Sequence, residues 1–301
     1  MGQTVNPVIL EKAMRSEFFR SSAGLTPLWP KVATIVPSKA PNEKFGALGA
    51  NPSARQWTDE RIPKGLLDFN YTITPKHMEV SLAINRDDLD DDQTGQLMLR
   101  VAGLPHAIET NKEYEVFGAL NTGATTACYD LQYFFDTDHV DTGAKYQTAQ
   151  DNDLTKTVVD HTAPTIAEVQ AIIQKMIGAM EQFLDDQGNP FYPSGLPGGS
   201  GLIVLTHPVH RFTLQAALNS ALISNSSNLL HGVATPMTSP YITDDGTWIL
   251  LNVGDVLKPV VMVERQATIV SSNLGLIDTR EKINLFFGAD ARYGAGYGNW
   301  R

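Results

Sequence analysis

The sequence predicts an α+β fold, and three patterns of apolar residues support this prediction. Apolar and polar residues alternate between positions 67 and 84, which is typical of strands with one buried face. Apolar residues recur at helical spacing over 93–120 and again over 166–185. Short aliphatic runs that indicate further strands follow between 202 and 287. Helices and strands therefore occur in mixed order, as in α+β proteins.

Composition places the chain among ordinary globular proteins. Its 301 residues are 42% hydrophobic and 19% charged, which allows one large domain or two modest ones. The formal net charge is −10 and basic residues do not cluster, so sequence-specific DNA binding is not expected. Cys128 is the only cysteine, which excludes an intramolecular disulfide and a multi-cysteine zinc site. The N-terminal residues lack the pattern of a secretion signal, so we expect a soluble protein.

The N-terminal 50 residues contain a short amphipathic stretch and then a segment without periodicity. Apolar residues recur at helical spacing between positions 8 and 19, and prolines and glycines follow up to Gly49. We interpret the second segment as an extended arm. A free terminus and an arm that orders only on a neighbouring subunit both remain open.

Residues 66–86 predict a two-stranded antiparallel hairpin with its turn at 74–77. One predicted strand places Leu67, Phe69, Tyr71 and Ile73 on one face, and the other places Met78, Val80, Leu82 and Ile84 on one face. Paired across the turn, these two sets would form one apolar surface. An isolated hairpin is only marginally stable in water, so its own domain or another chain must cover that surface.

The acidic run at 87–92 precedes the first long predicted helix. Its five carboxylates favour a role at the helix N-terminus, where they would cap the helix and interact favourably with its dipole. Calcium binding is the alternative, although the run lacks the glycine and distal glutamate of an EF-hand loop. Within the helix, Gly103 and Pro105 predict a kink.

The second long helix is predicted over 166–185, with clear end signals. Thr165 and Glu168 have the spacing of a capping box, and Gly188 suits a C-terminal stop. A linker rich in glycine, proline and serine is predicted at 193–201. Beyond it the sequence predicts a helix at 209–222 and strands at 202–205, 248–253, 260–263, 267–270 and 283–287.

Residue types that carry catalysis are present, but their spacing does not form a recognisable site. Cys128 and His139 could form a nucleophile–base pair, yet nothing in the sequence brings them together. His207 and His210 could share a metal, but no third ligand follows at recognisable spacing. Ser200 lies among glycines that do not form a nucleophile elbow. We therefore predict no catalytic, cofactor-binding or metal site.

The GxGxG pattern at the C-terminal end is not a phosphate cradle, because no helix follows it. It is formed by Gly294, Gly296 and Gly298. We interpret these glycines as part of a flexible or strand-bending tail.

Three stretches together resemble the Mu-like phage and prophage major head subunit family. They are residues 56–92 (QWTDERIPKGLLDFNYTITPKHMEVSLAINRDDLDDD), 126–139 (TACYDLQYFFDTDH) and 286–298 (FFGADARYGAGYG). They cover about a fifth of the chain and occur in the order that the family has. Within the second stretch, the resemblance lies in the phrase FFDTDH at 134–139.

The resemblance implies the tailed-phage major capsid fold, which fits the arm, hairpin and long helix inferred from the residues. We expect an N-terminal arm at 1–50, an extended hairpin loop at 51–86 and a peripheral domain with a spine helix at 87–159. An axial domain is expected at 160–250, and C-terminal strands at 251–301 are expected to return to the peripheral domain. The residues implied in contacts between subunits are Trp57, Arg61, Phe69, Tyr71, Ile73, Met78 and Val80.

The resemblance further implies a structural protein, not an enzyme, without cofactors. Its subunits would assemble into hexamers and pentamers of an icosahedral head that encloses double-stranded DNA without reading its sequence. The implied partners are scaffold, maturation protease, portal and decoration proteins, with no membrane contact. The implied location is the virion, with assembly in the host bacterial cytoplasm.

Two alternatives remain. One is an encapsulin-like shell that encloses cargo, which shares the implied fold. The other is a cytosolic hydrolase that uses Ser200 or the His207 and His210 pair.

Overall fold

Helices and strands occur in both halves of the chain. The computed structural model describes residues 7–40, 43–48, 68–84, 95–140, 148–185, 188–274 and 285–301. The helices are α1 Pro7–Ala23, α2 Trp29–Val32, α3 Gln96–Asn121, α4 Ile166–Met180 and α5 Arg211–Asn219. The strands are β1 Ala33–Pro37, β2 Glu43–Leu48, β3 Asp68–Ile73, β4 Lys76–Ile84, β5 Gly199–Thr206, β6 Leu222–Ile223, β7 Ser226–Ser227, β8 Ala234–Thr238, β9 Trp248–Asn252, β10 Val260–Ser272 and β11 Leu285–Tyr297. Among the described helices, none has both the length and the apolar composition to cross a membrane.

A four-stranded sheet with the order β1-β10-β11-β4 packs its inner face against α3. Alternate residues of the two central strands, such as Met262 and Tyr293, are fully buried on this face. The Tyr293 hydroxyl donates to Asn111 Oδ1 of α3 at 2.7 Å, and the Tyr297 hydroxyl donates to the Ala119 carbonyl at 2.9 Å. Burial of each large apolar side chain here contributes about 1.5–3 kcal/mol. The sheet and the helix therefore form one core.

Helix α3 confirms the first predicted helix. It spans 26 residues, and its predicted apolar stripe is buried against the sheet, as Val101 and Ile108 illustrate. The backbone stays helical through Pro105, so the helix does not break there. Its N-cap is Gly95, with a φ of 69° and no side-chain cap, so none of the acidic residues occupies that position. The acidic run at 87–92 itself lies outside the described residues.

Residues 7–37, which fall within the expected N-terminal arm, pack onto the body of their own chain, and the helical spacing at 8–19 agrees with α1. Helix α1 buries Met14 and Phe18 completely and lies against α3. The Trp29 indole donates to Glu109 Oε2 of α3 at 2.9 Å. Strand β1 then joins the main sheet parallel to β10. The many prolines and glycines concealed this packing from a periodicity argument, since the strand is only five residues long.

A second region is built from α4, α5 and a three-stranded sheet with the order β8-β5-β9. The predicted strand at 202–205 lies at the centre of this sheet and is almost completely buried. The predicted linker ends earlier than expected, because β5 already begins at Gly199. The predicted helix at 209–222 is shorter, consisting of a 3-10 turn at Pro208–His210 followed by α5.

The strands predicted at 260–263 and 267–270 are one strand, β10, with irregular register between Glu264 and Ile269. The C-terminal glycines do not form a flexible tail. Gly294 and Gly296 lie inside β11, which pairs with β10 on one side and β4 on the other.

Helix α4 begins at the predicted capping box but ends before the predicted stop. Thr165 Oγ1 accepts from the Glu168 amide at 3.3 Å, and Glu168 Oε2 accepts from the Thr165 amide at 2.9 Å. The helix ends at Met180, and Gly188, with a φ of 84°, closes a later turn by donating to the Asp185 carbonyl at 3.1 Å. The start signal is confirmed, and the stop signal belongs to a different turn.

Replacing Thr165 with alanine should lower the free energy of unfolding by about 1 kcal/mol, because the first turn of α4 loses its cap. Urea denaturation followed by circular dichroism measures this change. Thr157→Ala is the matched control, since Thr157 is exposed and outside any helix. Equal effects of the two substitutions would show that the capping box does not stabilise α4.

Candidate functional site

Both strands of the predicted hairpin are present, but they do not pair with each other, so the predicted hairpin is wrong. Strand β3 pairs antiparallel with β2, so that Tyr71 lies opposite Phe45. Strand β4 pairs with β11 as the edge of the main sheet. Only Thr74 and Pro75 separate β3 from β4, and Pro75 cannot adopt the positive φ that a type I′ hairpin loop requires at both of its residues. Alternation identified the buried face correctly at Tyr71 and Ile73 and along β4, but it did not identify the partners of the two strands.

The hairpin β2–β3 is attached to the outer face of the main sheet, opposite α3. Ile73 is 4% exposed and forms a small apolar cluster with Val261 and Val263 of β10. The Tyr71 hydroxyl accepts from the Tyr297 amide at 3.4 Å, and the two tyrosine rings are 6.3 Å apart. Burial raises the pKa of Tyr71. The C-terminal end of β3 is therefore held by its own chain.

The residues predicted to contact neighbours lie outside the described residues, in β3 or in β4. Trp57 and Arg61 lie outside the described residues, whereas Phe69, Tyr71 and Ile73 belong to β3. Phe69 lies in β3 opposite Ala47 of β2, in the part of the hairpin farther from the main sheet than Ile73. Their role in contacts between subunits stays a prediction.

Met78 and Val80 belong to β4 and not to the projecting hairpin. Both are partly buried and pack against the core of their own chain. The expected apolar surface that would combine them with Tyr71 and Ile73 does not form, because the two strands lie in different sheets.

A buried polar cluster lies in the segment that carries the FFDTDH phrase. Asp130 Oδ2 accepts from His139 Nδ1 at 2.7 Å, and Asp130 Oδ1 accepts from Cys128 Sγ at 2.9 Å. The Gln132 amide also donates to Asp130 Oδ1, at 3.2 Å. Burial raises the pKa of Asp130, but hydrogen bonds from His139 and Cys128 outweigh it, and the net shift is downward. The structure thus brings Cys128 and His139 together through a carboxylate that neither pattern nor spacing indicated.

This cluster is not arranged as a nucleophile–base pair. Asp130 lies between the thiol and the imidazole, so Cys128 donates to the carboxylate and not to His139. Burial, followed by the charge of Asp130, raises the pKa of the Cys128 thiol and disfavours the reactive thiolate.

The three side chains are of types that bind zinc, and their ligand-type atoms lie within 4.8 Å of one another. In this structure those atoms hydrogen-bond one another. His139 Nε2 has no hydrogen-bond partner among the described residues, whereas zinc-bound histidines usually donate this second nitrogen to a carboxylate or carbonyl. The geometry therefore favours an internal network that holds the loop.

The same segment anchors the C-terminal strand and the residues after it. The His139 ring stacks on Trp300 with centroids 4.0 Å apart, and the Arg301 guanidinium lies 4.3 Å from the centre of the Trp300 ring. The Phe134 ring stacks on Tyr297 at 4.5 Å. The two separate stretches that resembled one family are therefore packed against each other.

The other candidate catalytic residues serve local structure. His207 Nδ1 accepts from the Val209 amide at 3.2 Å, whereas His210 Nε2 donates to the Asp245 carbonyl at 2.8 Å. The two histidines therefore bond separate groups and do not converge on one ion. Ser200 is exposed on β5, outside any strand-to-helix elbow.

Replacing Asp130 with asparagine should lower the free energy of unfolding by about 1–3 kcal/mol, because an amide has one acceptor oxygen where the carboxylate has two. The lowered pKa of Asp130 means that its stabilising contribution is present above the unfolded-state pKa of about 4 and is lost as the pH falls through the folded-state value. The substitution should therefore reduce the loss of stability on acidification. Denaturation curves measured between about pH 3 and pH 7 would show both effects, because this range includes the unfolded-state carboxyl pKa of about 4.

Asp138→Asn is the control for this substitution, since Asp138 is exposed in the same loop. We expect it to change stability by less than about 0.5 kcal/mol. A change as large as that of Asp130→Asn would contradict a specific role for the buried network.

Comparison with known proteins supports the resemblance found in the sequence. Residues 8–166 match the model of the family described as Mu-like prophage major head subunit gpT. The Mu-like prophage FluMu major head subunit of Haemophilus influenzae is 35% identical over 111 residues, which cover 37% of this chain and 36% of that protein. The major capsid protein of Escherichia phage Mu is 30% identical over 109 residues, covering 36% of each chain. The aligned segment thus spans about a third of each curated relative.

Solved capsid structures share the fold. The procapsid of bacteriophage JBD30 matches with a TM-score of 0.53 and 21% identity, covering 97% of this chain and 72% of that chain. The capsid of cyanophage P-SCSP1u matches with a TM-score of 0.57 and 9% identity over 91% and 86% of the two chains. A virus-like particle from Pyrococcus furiosus matches with a TM-score of 0.53 and 8% identity over 95% and 94%. The fold is that of tailed-phage capsid proteins.

The family match covers the N-terminal helix, the hairpin, the main helix and the buried polar cluster, which is more than half of the 301 residues. The chain belongs to the Mu-like prophage major head subunit family.

Proposed function

We propose that this chain is the major capsid protein of a Mu-like phage, which assembles into the hexamers and pentamers of an icosahedral head around phage DNA. The observation that carries the proposal is the family match over residues 8–166, supported by a fold shared with phage capsids along most of the chain. The function is structural and requires no catalytic residue.

The projecting hairpin gives the proposal a physical basis. A two-stranded sheet is marginal by itself in water, and β2–β3 hydrogen-bonds to no third strand among the described residues. Contacts that repeat head to tail around a ring would bury such an element in every subunit. We infer that the far part of the hairpin packs on a neighbouring copy, with Trp57, Arg61 and Phe69 as the contact residues to test.

The domain division is proposed with two revisions, one to the bounds of the hairpin and one to the N-terminal arm, whose residues 7–37 are assigned to the peripheral domain. The extended hairpin would consist of β2 and β3 with the residues between them, instead of 51–86. The peripheral domain would contain α1, α3 and the main sheet, including the C-terminal strands. The axial domain would comprise 160–250, which includes the three-stranded sheet.

Charge is compatible with a container for DNA. The formal net charge of −10 means that a shell wall made of this chain carries no general attraction for phosphate. We propose that DNA is enclosed without sequence-specific contacts. Scaffold, maturation protease, portal and decoration proteins are proposed as partners, with assembly in the host bacterial cytoplasm and the mature subunit in the virion.

The two alternatives are less well supported. An encapsulin-like shell would share the fold, since a Pyrococcus furiosus virus-like particle also matches, but the family match is to phage head subunits. A hydrolase would need an activated nucleophile, and burial raises the pKa of the Cys128 thiol. The two histidines bond local backbone groups, and Ser200 lies exposed on β5.

Expression of the chain in bacteria, with a scaffold protein supplied, tests the proposal directly. Negative-stain microscopy and light scattering should show capsomers, tubes or closed shells. A species that remains monomeric at high concentration would contradict the proposal.

Phe69→Asp tests the role of the hairpin. If Phe69 is buried only against a neighbour, the variant should fold and melt cooperatively, yet form no closed shells, because an unpaired charge would be buried at every repeat. Thr72→Asp is the control, since Thr72 is exposed on the same strand. Loss of folding in Phe69→Asp would place this residue in the core of its own subunit instead.

A further inference from the structure

The glycines of the C-terminal GxGxG pattern lie directly under the base of the hairpin. Gly294 pairs with Val263, and Gly296 pairs with Val261. Paired residues of antiparallel strands share a face, so these glycines lie on the outer face together with the two valines that contact Ile73. On the inner face the neighbouring residue Tyr293 is fully buried against α3.

Glycine is required at both positions because a side chain would collide with neighbouring atoms, and not because of the backbone conformation. A Cβ atom on Gly296 would lie 2.5 Å from Ile73 Cδ1 and 3.2 Å from Tyr71 Cε1. A Cβ atom on Gly294 would lie 2.9 Å from the Thr74 carbonyl oxygen. Both glycines are in regular strand pairing, where alanine is conformationally acceptable. A side chain at Gly294 would push against the backbone at the end of β3, whereas one at Gly296 would disturb the packing of Ile73 against Val261 and Val263.

We propose that Gly294 and Gly296 form a seat that fixes the angle at which the β2–β3 hairpin leaves the body, and that they are positioning residues for shell assembly. This inference rests on the proposed function as a capsid subunit. The glycines contact no neighbouring subunit in this account. They act through Ile73 and Tyr71, which carry the hairpin.

The effect of a single methyl group on the hairpin follows from its geometry. Carbon atoms in contact are about 3.5–4.0 Å apart, so Ile73 would have to move by about 1 Å and Tyr71 by less. These residues are about 6.6 Å apart along the strand, so the unequal movement tilts the hairpin by several degrees. The far end of β3, about 17 Å from Ile73, would shift by less than about 1 Å in the opposite sense. Packed interiors and interfaces respond to the addition of a single methylene group, so a shift of about 1 Å at the base of the hairpin disturbs contacts with a neighbour.

The test compares Gly296→Ala with wild type in the scaffold-dependent assembly assay described above. The variant should keep its circular dichroism spectrum and a cooperative melt, because the inner face is unchanged. Its threshold concentration for shell formation should rise by about tenfold or more, or its particles should change in curvature. Gly178→Ala, which meets no atom within 4 Å, should assemble as wild type does.

A second substitution separates positioning from general strain. Ile73→Ala removes both Ile73 atoms that the new methyl group would meet, Cδ1 and Cγ1. The double variant Gly296→Ala with Ile73→Ala should therefore assemble better than Gly296→Ala alone, although Ile73→Ala alone leaves a gap and is expected to weaken assembly.

Each outcome decides a different claim. If wild type itself does not assemble, the proposed function fails. If wild type and Gly296→Ala assemble with equal thresholds and equal particle diameters, the positioning role is wrong. If Gly296→Ala does not fold, the glycine serves the core and the positioning role is also wrong. If Gly296→Ala folds but Ile73→Ala does not restore assembly, the effect does not pass through the seat.

Discussion

The packing of the main sheet against α3 is the interaction on which the other parts of the chain depend. Tyr293 and Tyr297 bury their rings on this face and still satisfy their hydroxyls on Asn111 and Ala119 of the helix. Helix α1 covers the same helix from another side, and Trp29 is joined to it through Glu109. Because β1, β4, β10 and β11 come from both ends of the chain, this core closes only when the whole chain is in place.

The two faces of this sheet have different roles. The inner face is a conventional apolar core, in which large side chains fill the space against the helix. The outer face carries small residues at Gly294 and Gly296, and the base of the hairpin occupies the space that they leave. A single sheet can thereby stabilise the subunit and orient an element that projects from it. The buried network around Asp130 then fixes the loop that packs against Tyr297 and Trp300 at the end of the same strand.

Local signals in the sequence predicted elements well and partners poorly. The stripe of α3 and the capping box of α4 were predicted correctly because both depend on residues within a few turns of each other. The partner of β3 was not, because alternation is equally consistent with pairing to β2 or β4. The bond from His139 to Asp130 could not be predicted, because sequence spacing does not show that Asp130 folds back to accept from both Cys128 and His139. The glycines of β11 resembled a flexible tail because the residues that crowd them are more than 200 positions away.

Hydrogen exchange measured by mass spectrometry on the free subunit and on assembled shells distinguishes the roles of the two sheet faces. We expect amides of β10 and β11 to exchange slowly in both forms, since the sheet belongs to the subunit core. Amides of β2 and of residues 68–70 should exchange rapidly in the free subunit and slowly in shells, because a neighbour covers them only after assembly. Equally slow exchange of the hairpin amides in both forms would contradict the claim that one face of the sheet serves the fold and the other serves assembly.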